Sequence, residues 1–143
     1  MFKNILLAID GSEYSNKALA YAANMAETYR ATLWLVHVFA HTSDLLGYDD
    51  YEKLYAKRKC AGQSILDAAT GLLGGSPFEI RTELREGPEA ESILNLAKNS
   101  HSDIIVMGTR GRSDLQGLLL GSVTHRVLQT APCPVMVVRH SQA

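Results

Sequence analysis

Short apolar runs alternate along the chain with stretches whose apolar residues recur at helical spacing, and this alternation constrains the fold most. The runs at residues 2–9, 31–38 and 103–107 are almost continuously apolar, which is typical of strands covered on both faces. Residues 78–84 alternate apolar with charged side chains, which predicts a strand with one wetter face at a sheet edge. Val135–Val138, introduced by two prolines, predicts a short fifth strand.

Four amphipathic helices are predicted between these strands. The first has Ser12 or Ser15 as its cap, the second spans residues 51–72, the third follows Gly87-Pro88, and the fourth is Ser122–Thr130. Residues 39–50 form a connection longer than the usual one of about 4–6 residues, so we expect this loop to contribute to a site.

Strands separated by helices predict an α/β fold of the doubly wound type, with a five-stranded parallel sheet, right-handed crossovers and helices on both faces. With 143 residues, 46% hydrophobic and 20% charged, residues 1–143 are expected to form one domain. Ligands of such folds bind at the carboxyl edge of the sheet. The loops predicted there begin at residues 10, 39, 85 and 108.

The charge balance excludes several partners. With 14 basic and 15 acidic side chains the net charge is −1, so no overall field attracts nucleic acid or an anionic membrane surface. We find no signal-peptide pattern and no apolar run near the roughly 20 residues of a membrane span. The sequence therefore predicts a cytoplasmic protein without membrane insertion.

Metal, redox and covalent chemistry have no candidate residues. Cys60 and Cys133 lack CxxC spacing and are expected to be packing residues. The five histidines are scattered, without a partner at metal-ligand spacing, so no metal site is predicted. We find no GxSxG elbow and no activated cysteine, so no catalytic residue is assigned.

The most informative segment reads Gly108-Thr109-Arg110-Gly111, then nine residues, then Gly121-Ser122. Glycines after a strand can adopt left-handed conformations and let the backbone approach a ligand, and a helix start offers N–H donors to phosphate. The expected side-chain contributions come from the hydroxyls of Ser122 and Thr124 and from Arg110 or Arg112. A tight turn with an ordinary helix cap remains an alternative. The segment matches neither the P-loop nor the GxGxxG pattern.

This spacing, G-x2-G-x9-G-S/T, resembles the ATP-binding motif of the universal stress protein family. The matching positions are Gly108, Gly111, Gly121 and Ser122. The resemblance also covers residues 5–12, 35–38, 87–88 and 131–138, so it spans nearly the whole chain. Family branches that do not bind ATP have altered glycines, and the match therefore implies the ATP-binding branch.

The family resemblance implies strand order 3-2-1-4-5 and a homodimer joined along Val135–Val138, with further assembly left open. It also implies ATP at the carboxyl edge, accompanied by Mg²⁺ or Mn²⁺ held mainly by the phosphates. Ala8, which replaces a proline common in relatives, and Asp10 would flank the nucleoside, while the Val38 backbone would meet adenine. The residues implied for ribose and phosphates are Met107, Gly108, Arg110, Gly111, Arg112, Gly121, Ser122, Val123 and Thr124. Without the resemblance, the residues alone favour Asp10 as a turn former or helix cap rather than a binding residue.

Three functions are compatible with this sequence. The leading one is an ATP-binding regulatory module for stress responses, acting as a nucleotide-dependent dimeric sensor. The second is a slow ATPase or adenylate-transferring enzyme, although no base is available to position water and turnover should be very slow. The third is a non-catalytic interaction protein that regulates a transporter or kinase.

Overall fold

A computed structural model describes residues 1–42, 47–110 and 120–139 of the chain. Strands and helices alternate in the predicted order along these ranges. The strands are β1 (Asn4–Ala8), β2 (Thr32–Phe39), β3 (Ile80–Glu86), β4 (Ile104–Gly108) and β5 (Val135–Val138). The helices are α1 (Glu13–Tyr29), α2 (Tyr48–Leu72), α3 (Glu89–Asn99) and α4 (Ser122–Thr130).

The predicted loop at residues 39–50 is shorter at both ends. Phe39 still pairs with Glu86 of β3, which extends β2 by one residue, and α2 begins at Tyr48. Residues 43–46 of this loop lie outside the described ranges.

The five strands form one parallel sheet in the order β3-β2-β1-β4-β5, which confirms the predicted doubly wound fold and strand order. β3 lies at a sheet edge, as its alternating pattern predicts. The chain winds from β1 toward β3 in one direction and from β4 to β5 in the other. The carboxyl ends of β1 and β4 therefore meet at the switch point, where folds of this type form a crevice.

The sheet is buried on both faces, with one apolar layer beneath α1 and α2 and another beneath α3 and α4. In β1, Ile5 and Leu7 face the first layer and Leu6 the second, and all three are fully buried. Full burial of such a side chain contributes about 1.5–3 kcal/mol. This two-sided burial explains why the inner strands read as continuous apolar runs.

The helix ends resolve the capping predictions. Ser12 is the N-cap of α1, because its Oγ accepts a hydrogen bond from the Ser15 N–H at 3.2 Å. Pro88 is the N-cap of α3 and follows a cis peptide bond after Gly87. Among the described helices, none is both long and apolar enough to cross a bilayer.

The two cysteines were both predicted to be packing residues, and the structure shows them in different environments. Cys133 packs against the layer beneath α3 and α4, and its burial raises the pKa of its thiol. Cys60 lies exposed on α2, so its prediction as a packing residue is wrong. Cys60 is one of many exposed positions along α2, as expected for the solvent-facing side of an amphipathic helix.

Gly108 is required by packing rather than by a left-handed conformation. The left-handed glycines of the described ranges are Gly11 and Gly75, so the predicted conformational role of Gly108 is wrong. A Cβ atom at Gly108 would lie 2.7 Å from the Tyr14 Cβ and 2.8 Å from the Tyr14 carbonyl carbon. The end of β4 therefore touches the first turn of α1, and only glycine permits this approach.

Asp103 fastens the amino-terminal edge of the sheet. Its Oδ2 accepts hydrogen bonds from the backbone N–H groups of Lys3 at 2.7 Å and Asn4 at 2.9 Å. The bond from Asn4 is the main reason that the pKa of Asp103 lies below its ordinary value of 3.8. This contact between β1 and the start of β4 joins residues about a hundred positions apart, and the sequence pattern did not predict it.

Asp103→Ala should lower the free energy of unfolding by about 1–3 kcal/mol at pH 7, because two backbone donors lose a charged acceptor. The folded-state pKa is depressed, so this stabilisation is complete above the ordinary value of 3.8 and is lost as the pH falls through the folded value. Urea denaturation from pH 7 to pH 3 should show the difference narrowing with acid. Asp67→Ala, which removes an exposed acceptor on α2, is the control. A constant difference across this range would contradict the assignment.

Gly108→Ala should destabilise the protein by about 1–3 kcal/mol, because the new methyl group meets backbone and Cβ atoms that cannot rotate away. Gly71→Ala on α2 is the matched control, since a Cβ there meets nothing within 4 Å and should be neutral or stabilising. Thermal unfolding of both variants measures the contrast. Equal stability of Gly108→Ala and the wild type would refute the close approach.

Candidate functional site

A cavity of about 400 Å³ opens at the carboxyl edge of the sheet, at the switch point between β1 and β4. Its walls are the ends of β1, β2 and β4, the middle of α2 and the first turns of α3 and α4. Small-molecule sites in proteins occupy roughly 300–1,000 Å³. A second cavity of about 410 Å³ lies at the opposite edge, between the end of α1, the start of β2 and residues 77–79.

The first cavity brings together most of the residues predicted for the site. Those that line it are Ala8, Asp10, Val38, Met107, Gly108, Arg110, Ser122, Val123 and Thr124. Gly121 is buried and is the N-cap of α4. Gly111 and Arg112 lie outside the described residues. The structure therefore assembles one site from segments distant in sequence, and the binding role of each residue stays a prediction.

One end of the cavity is formed by the first turn of α4. The helix begins after Gly121, which has no side chain to cap it, and the first helical bond runs from the His125 N–H to the Gly121 carbonyl at 2.9 Å. The N–H groups of residues 122–124 are those that a helix leaves without an internal partner, whereas the Gly121 N–H donates to the Thr109 carbonyl at 2.7 Å. The first turns of α1, α2 and α3 contain acidic residues, whereas that of α4 contains none. This end therefore favours an anion.

The two predicted hydroxyl donors differ in their positions. Ser122 is exposed at the cavity. The Thr124 Oγ1 donates to the Gly108 carbonyl at 3.0 Å and ties α4 to the end of β4. A hydroxyl group has one proton, so the predicted donation from Thr124 to a ligand is wrong for this arrangement, and that side chain supports the wall.

Arg110 lies at the same end, with its guanidinium carbon 4.8 Å from the centre of the Tyr14 ring. A cation over an aromatic face is attracted by the ring quadrupole. Tyr14 also contacts Gly108, so one side chain of α1 supports both the end of β4 and the arginine that follows it. This arrangement keeps a positive charge at the cavity.

Asp10 performs the turn-forming role that remained open in the sequence. Its Oδ1 accepts from the Ser12 N–H at 2.9 Å, and its own N–H donates to the Ser15 Oγ at 3.3 Å. These bonds shape the turn between β1 and α1 while Asp10 also lines the cavity. The turn-forming and site-lining interpretations are therefore compatible in one residue.

The other end of the cavity, under α2, contains residues that the sequence analysis missed as site residues. His37 of β2 lines it, with its Nδ1 2.8 Å from the Ile9 carbonyl oxygen. Arg58 of α2 also lines it and donates from Nη1 to the His41 carbonyl at 3.0 Å. Gly62 completes this wall. The sequence does contain one signal for them: Arg58 and Gly62 are four residues apart, and this spacing places both on the same face of the predicted helix.

The middle of the cavity is apolar. Its lining there is Val36, Val38, Ile65, Ile93 and Met107. Within the described ranges no group of three or more His, Cys, Asp or Glu side chains could hold a metal ion. The cavity thus combines an apolar body, an anion-favouring end and a polar end under α2.

Comparison with known proteins agrees with this architecture. The model of the universal stress protein family matches residues 1–139. A universal stress protein of Thermus aquaticus is 40% identical over 139 residues, covering 97% of this chain and 100% of that relative.

Solved structures show the same fold. Hypothetical protein MJ0577 has a TM-score of 0.90 at 26% identity, covering 100% of this chain and 99% of that chain. A universal stress protein in complex with cAMP has a TM-score of 0.75 at 24% identity, covering 98% and 99%. An Arabidopsis thaliana family protein with AMP bound has a TM-score of 0.71 at 16% identity, covering 97% and 92%. With the family model matching almost the whole length, this chain belongs to the universal stress protein family.

Proposed function

We propose that this protein binds ATP in the carboxyl-edge cavity and acts as a dimeric, nucleotide-dependent regulator of stress responses in the cytoplasm. The observation that carries the proposal is the division of one cavity into an apolar body and an anion-favouring end. A nucleoside triphosphate has the same division, with an aromatic base at one end and charged phosphates at the other.

The phosphates would lie at the first turn of α4. The backbone N–H groups of residues 122–124 and the Ser122 hydroxyl offer donors there, and the helix dipole places about +0.5 of a charge at this end. Arg110, supported by Tyr14, adds a charged donor. Together these groups suit an anion that one of them alone would hold weakly.

The base and ribose would occupy the apolar body. Val38, Ile65 and Met107 line this region and can bury the faces of a purine ring. Asp10, two residues after the end of β1, lines the cavity and could accept hydrogen bonds from ribose hydroxyls through its carboxylate. We infer that the nucleotide runs from the wall under α2 to the first turn of α4.

The triphosphate and its metal ion are inferred from this chain's own motif. The structural relatives that hold cAMP and AMP are at most 24% identical to this chain, so they support the fold and make a nucleotide a reasonable ligand class. Gly108, Gly121 and Ser122 supply three of the four motif positions within the described ranges. Mg²⁺ or Mn²⁺ would be held mainly by the phosphates, as magnesium usually keeps few protein ligands.

The dimer proposal concerns β5, the edge strand opposite β3. The Ile105 N–H donates to the Pro134 carbonyl and the Thr109 N–H to the Val138 carbonyl, so alternate residues of β5 pair with β4. The backbone groups of Val135 and Val137 face away from β4 by this alternation. An apolar edge strand of this kind invites pairing with a second copy.

Titration calorimetry with nucleotide-stripped protein should give micromolar affinity for ATP with magnesium and much weaker affinity for AMP, because the β- and γ-phosphates reach the α4 end. Gly121→Val should weaken ATP binding by about a hundredfold or more, which corresponds to about 2.7 kcal/mol. Gly121 has φ −71° and ψ 161°, which valine adopts without backbone strain, so the fold should persist.

Gly47→Val is the matched control for Gly121→Val. Gly47 is also a helix N-cap, with φ −59° and ψ 155°, and a Cβ there meets nothing within 4 Å. ATP affinity should be unchanged in this variant. Unchanged affinity in folded Gly121→Val would reject the assignment of this loop to the phosphates.

Light scattering at micromolar concentration should give twice the chain mass of 15.6 kDa for the wild type. Val137→Lys should shift the protein to monomer, because it adds charge to the unpaired edge of β5. Thr82→Lys, on the exposed opposite edge strand β3, should stay dimeric. A monomeric wild type would contradict the proposed interface.

A further inference from the structure

His37 presents a defined hydrogen-bonding group to the cavity. The residue is 9% exposed, and its Nδ1 lies 2.8 Å from the Ile9 carbonyl oxygen. A carbonyl oxygen can only accept, so Nδ1 carries the proton in this bond. In the neutral ring the other nitrogen, Nε2, is then an acceptor.

The Nε2 atom of His37 has no hydrogen-bond partner among the described residues. No described side chain is seen to bond it, and within the described ranges no fully buried side-chain nitrogen or oxygen lacks a partner. Because Nε2 has no partner, it cannot be fully buried and keeps some accessible surface. His37 and Gly62 both line the carboxyl-edge cavity, so we place this accessible nitrogen there. The ring offers an oriented acceptor whose direction is fixed by its bond to Ile9.

The glycine at position 62 makes room for this ring. A Cβ at Gly62 would lie 2.7 Å from the Leu84 Cδ1, 2.8 Å from the His37 Cδ2 and 3.4 Å from the His37 Nε2, so the glycine makes room for both side chains. Gly62 lies inside the 25-residue helix α2, where glycine costs about 0.5–1 kcal/mol relative to alanine. This loss of helix stability occurs where the edge of the imidazole ring contacts α2 beside the cavity.

We propose that His37 is a specificity-determining residue whose Nε2 accepts a hydrogen bond from the 6-amino group of the bound purine. This inference rests on the proposed function, because it places the base under α2 and the phosphates at α4. His37 then distinguishes 6-amino purines from 6-oxo purines.

The chemistry of the two purine classes gives the discrimination. Adenine offers an N–H donor at position 6, which matches the lone pair of Nε2. Hypoxanthine and guanine place a carbonyl oxygen there, so two acceptors face each other. A site built around one hydrogen bond rejects an analogue that leaves its polar group unpaired.

The first experiment compares ligands on the wild-type protein at pH 8, where free imidazole groups are neutral. Calorimetry is run with ATP, ITP and purine riboside triphosphate, which lacks any group at position 6. ITP and purine riboside triphosphate should each bind about tenfold more weakly than ATP, or worse, the change expected for one lost hydrogen bond. Equal affinity for ATP and ITP would overturn the inference without any variant.

The second experiment uses His37→Asn. The asparagine Nδ2 can replace Nδ1 as donor to the Ile9 carbonyl, while nothing replaces the Nε2 acceptor. The ratio of the ITP to the ATP dissociation constant should fall about tenfold, with ITP affinity nearly unchanged. His41→Asn is the matched control, because that side chain is 58% exposed and interacts with Glu86 outside the cavity lining.

The outcomes separate this inference from the proposed function. ATP binding with an unchanged ITP-to-ATP ratio in folded His37→Asn leaves the proposed function intact and overturns the role of His37. Absence of ATP binding by the wild type overturns both. A reduced ratio in His37→Asn, with the wild-type ratio kept by His41→Asn, supports the assignment.

Discussion

Burial of β1 on both faces is the constraint on which the rest of the structure depends. Ile5, Leu6 and Leu7 are fully buried at the centre of the sheet. Ile5 and Leu7 pack on the side of α1 and α2 and Leu6 on the side of α3 and α4, so β1 contributes to both apolar layers. Because β1 is central, β2 and β4 leave it on opposite sides and the strand order reverses there. The cavity at the carboxyl edge is a geometric consequence of this packing.

Close approaches between neighbouring elements shape the walls of that cavity. Gly108 lets the end of β4 meet α1 at Tyr14, which in turn carries Arg110. Gly62 lets α2 meet the edge of His37. Each approach uses a glycine in a conformation open to other residues, so these glycines are required for space rather than for backbone freedom. The shape of the cavity walls therefore depends on two positions where the residue has no Cβ atom.

The fold was predictable because its signal is local. The continuous apolar run of β1 predicts burial on both faces, and the structure shows it. The alternation in residues 78–84 predicts an edge strand, and β3 lies at the edge of the sheet, although its burial does not alternate regularly from residue to residue. The list of residues around the glycine-rich segment depended on a family motif, and the structure brings most of it to one cavity. The roles of His37, Arg58 and Asp103 were missed, because each side chain forms its hydrogen bond with a backbone group far along the chain. Periodicity does not report which side chain faces which distant backbone group.

Binding of ATP in the carboxyl-edge cavity is tested most directly by nuclear magnetic resonance of the backbone amides during titration with ATP and magnesium. We expect the largest chemical-shift changes at the first turn of α4 and at Val38 and Gly62, which border the carboxyl-edge cavity. Amides near Arg30 and Phe78, beside the cavity at the opposite edge, should change little. Chemical-shift changes concentrated at Arg30 and Phe78, or none at millimolar ATP, would contradict ATP binding in the carboxyl-edge cavity.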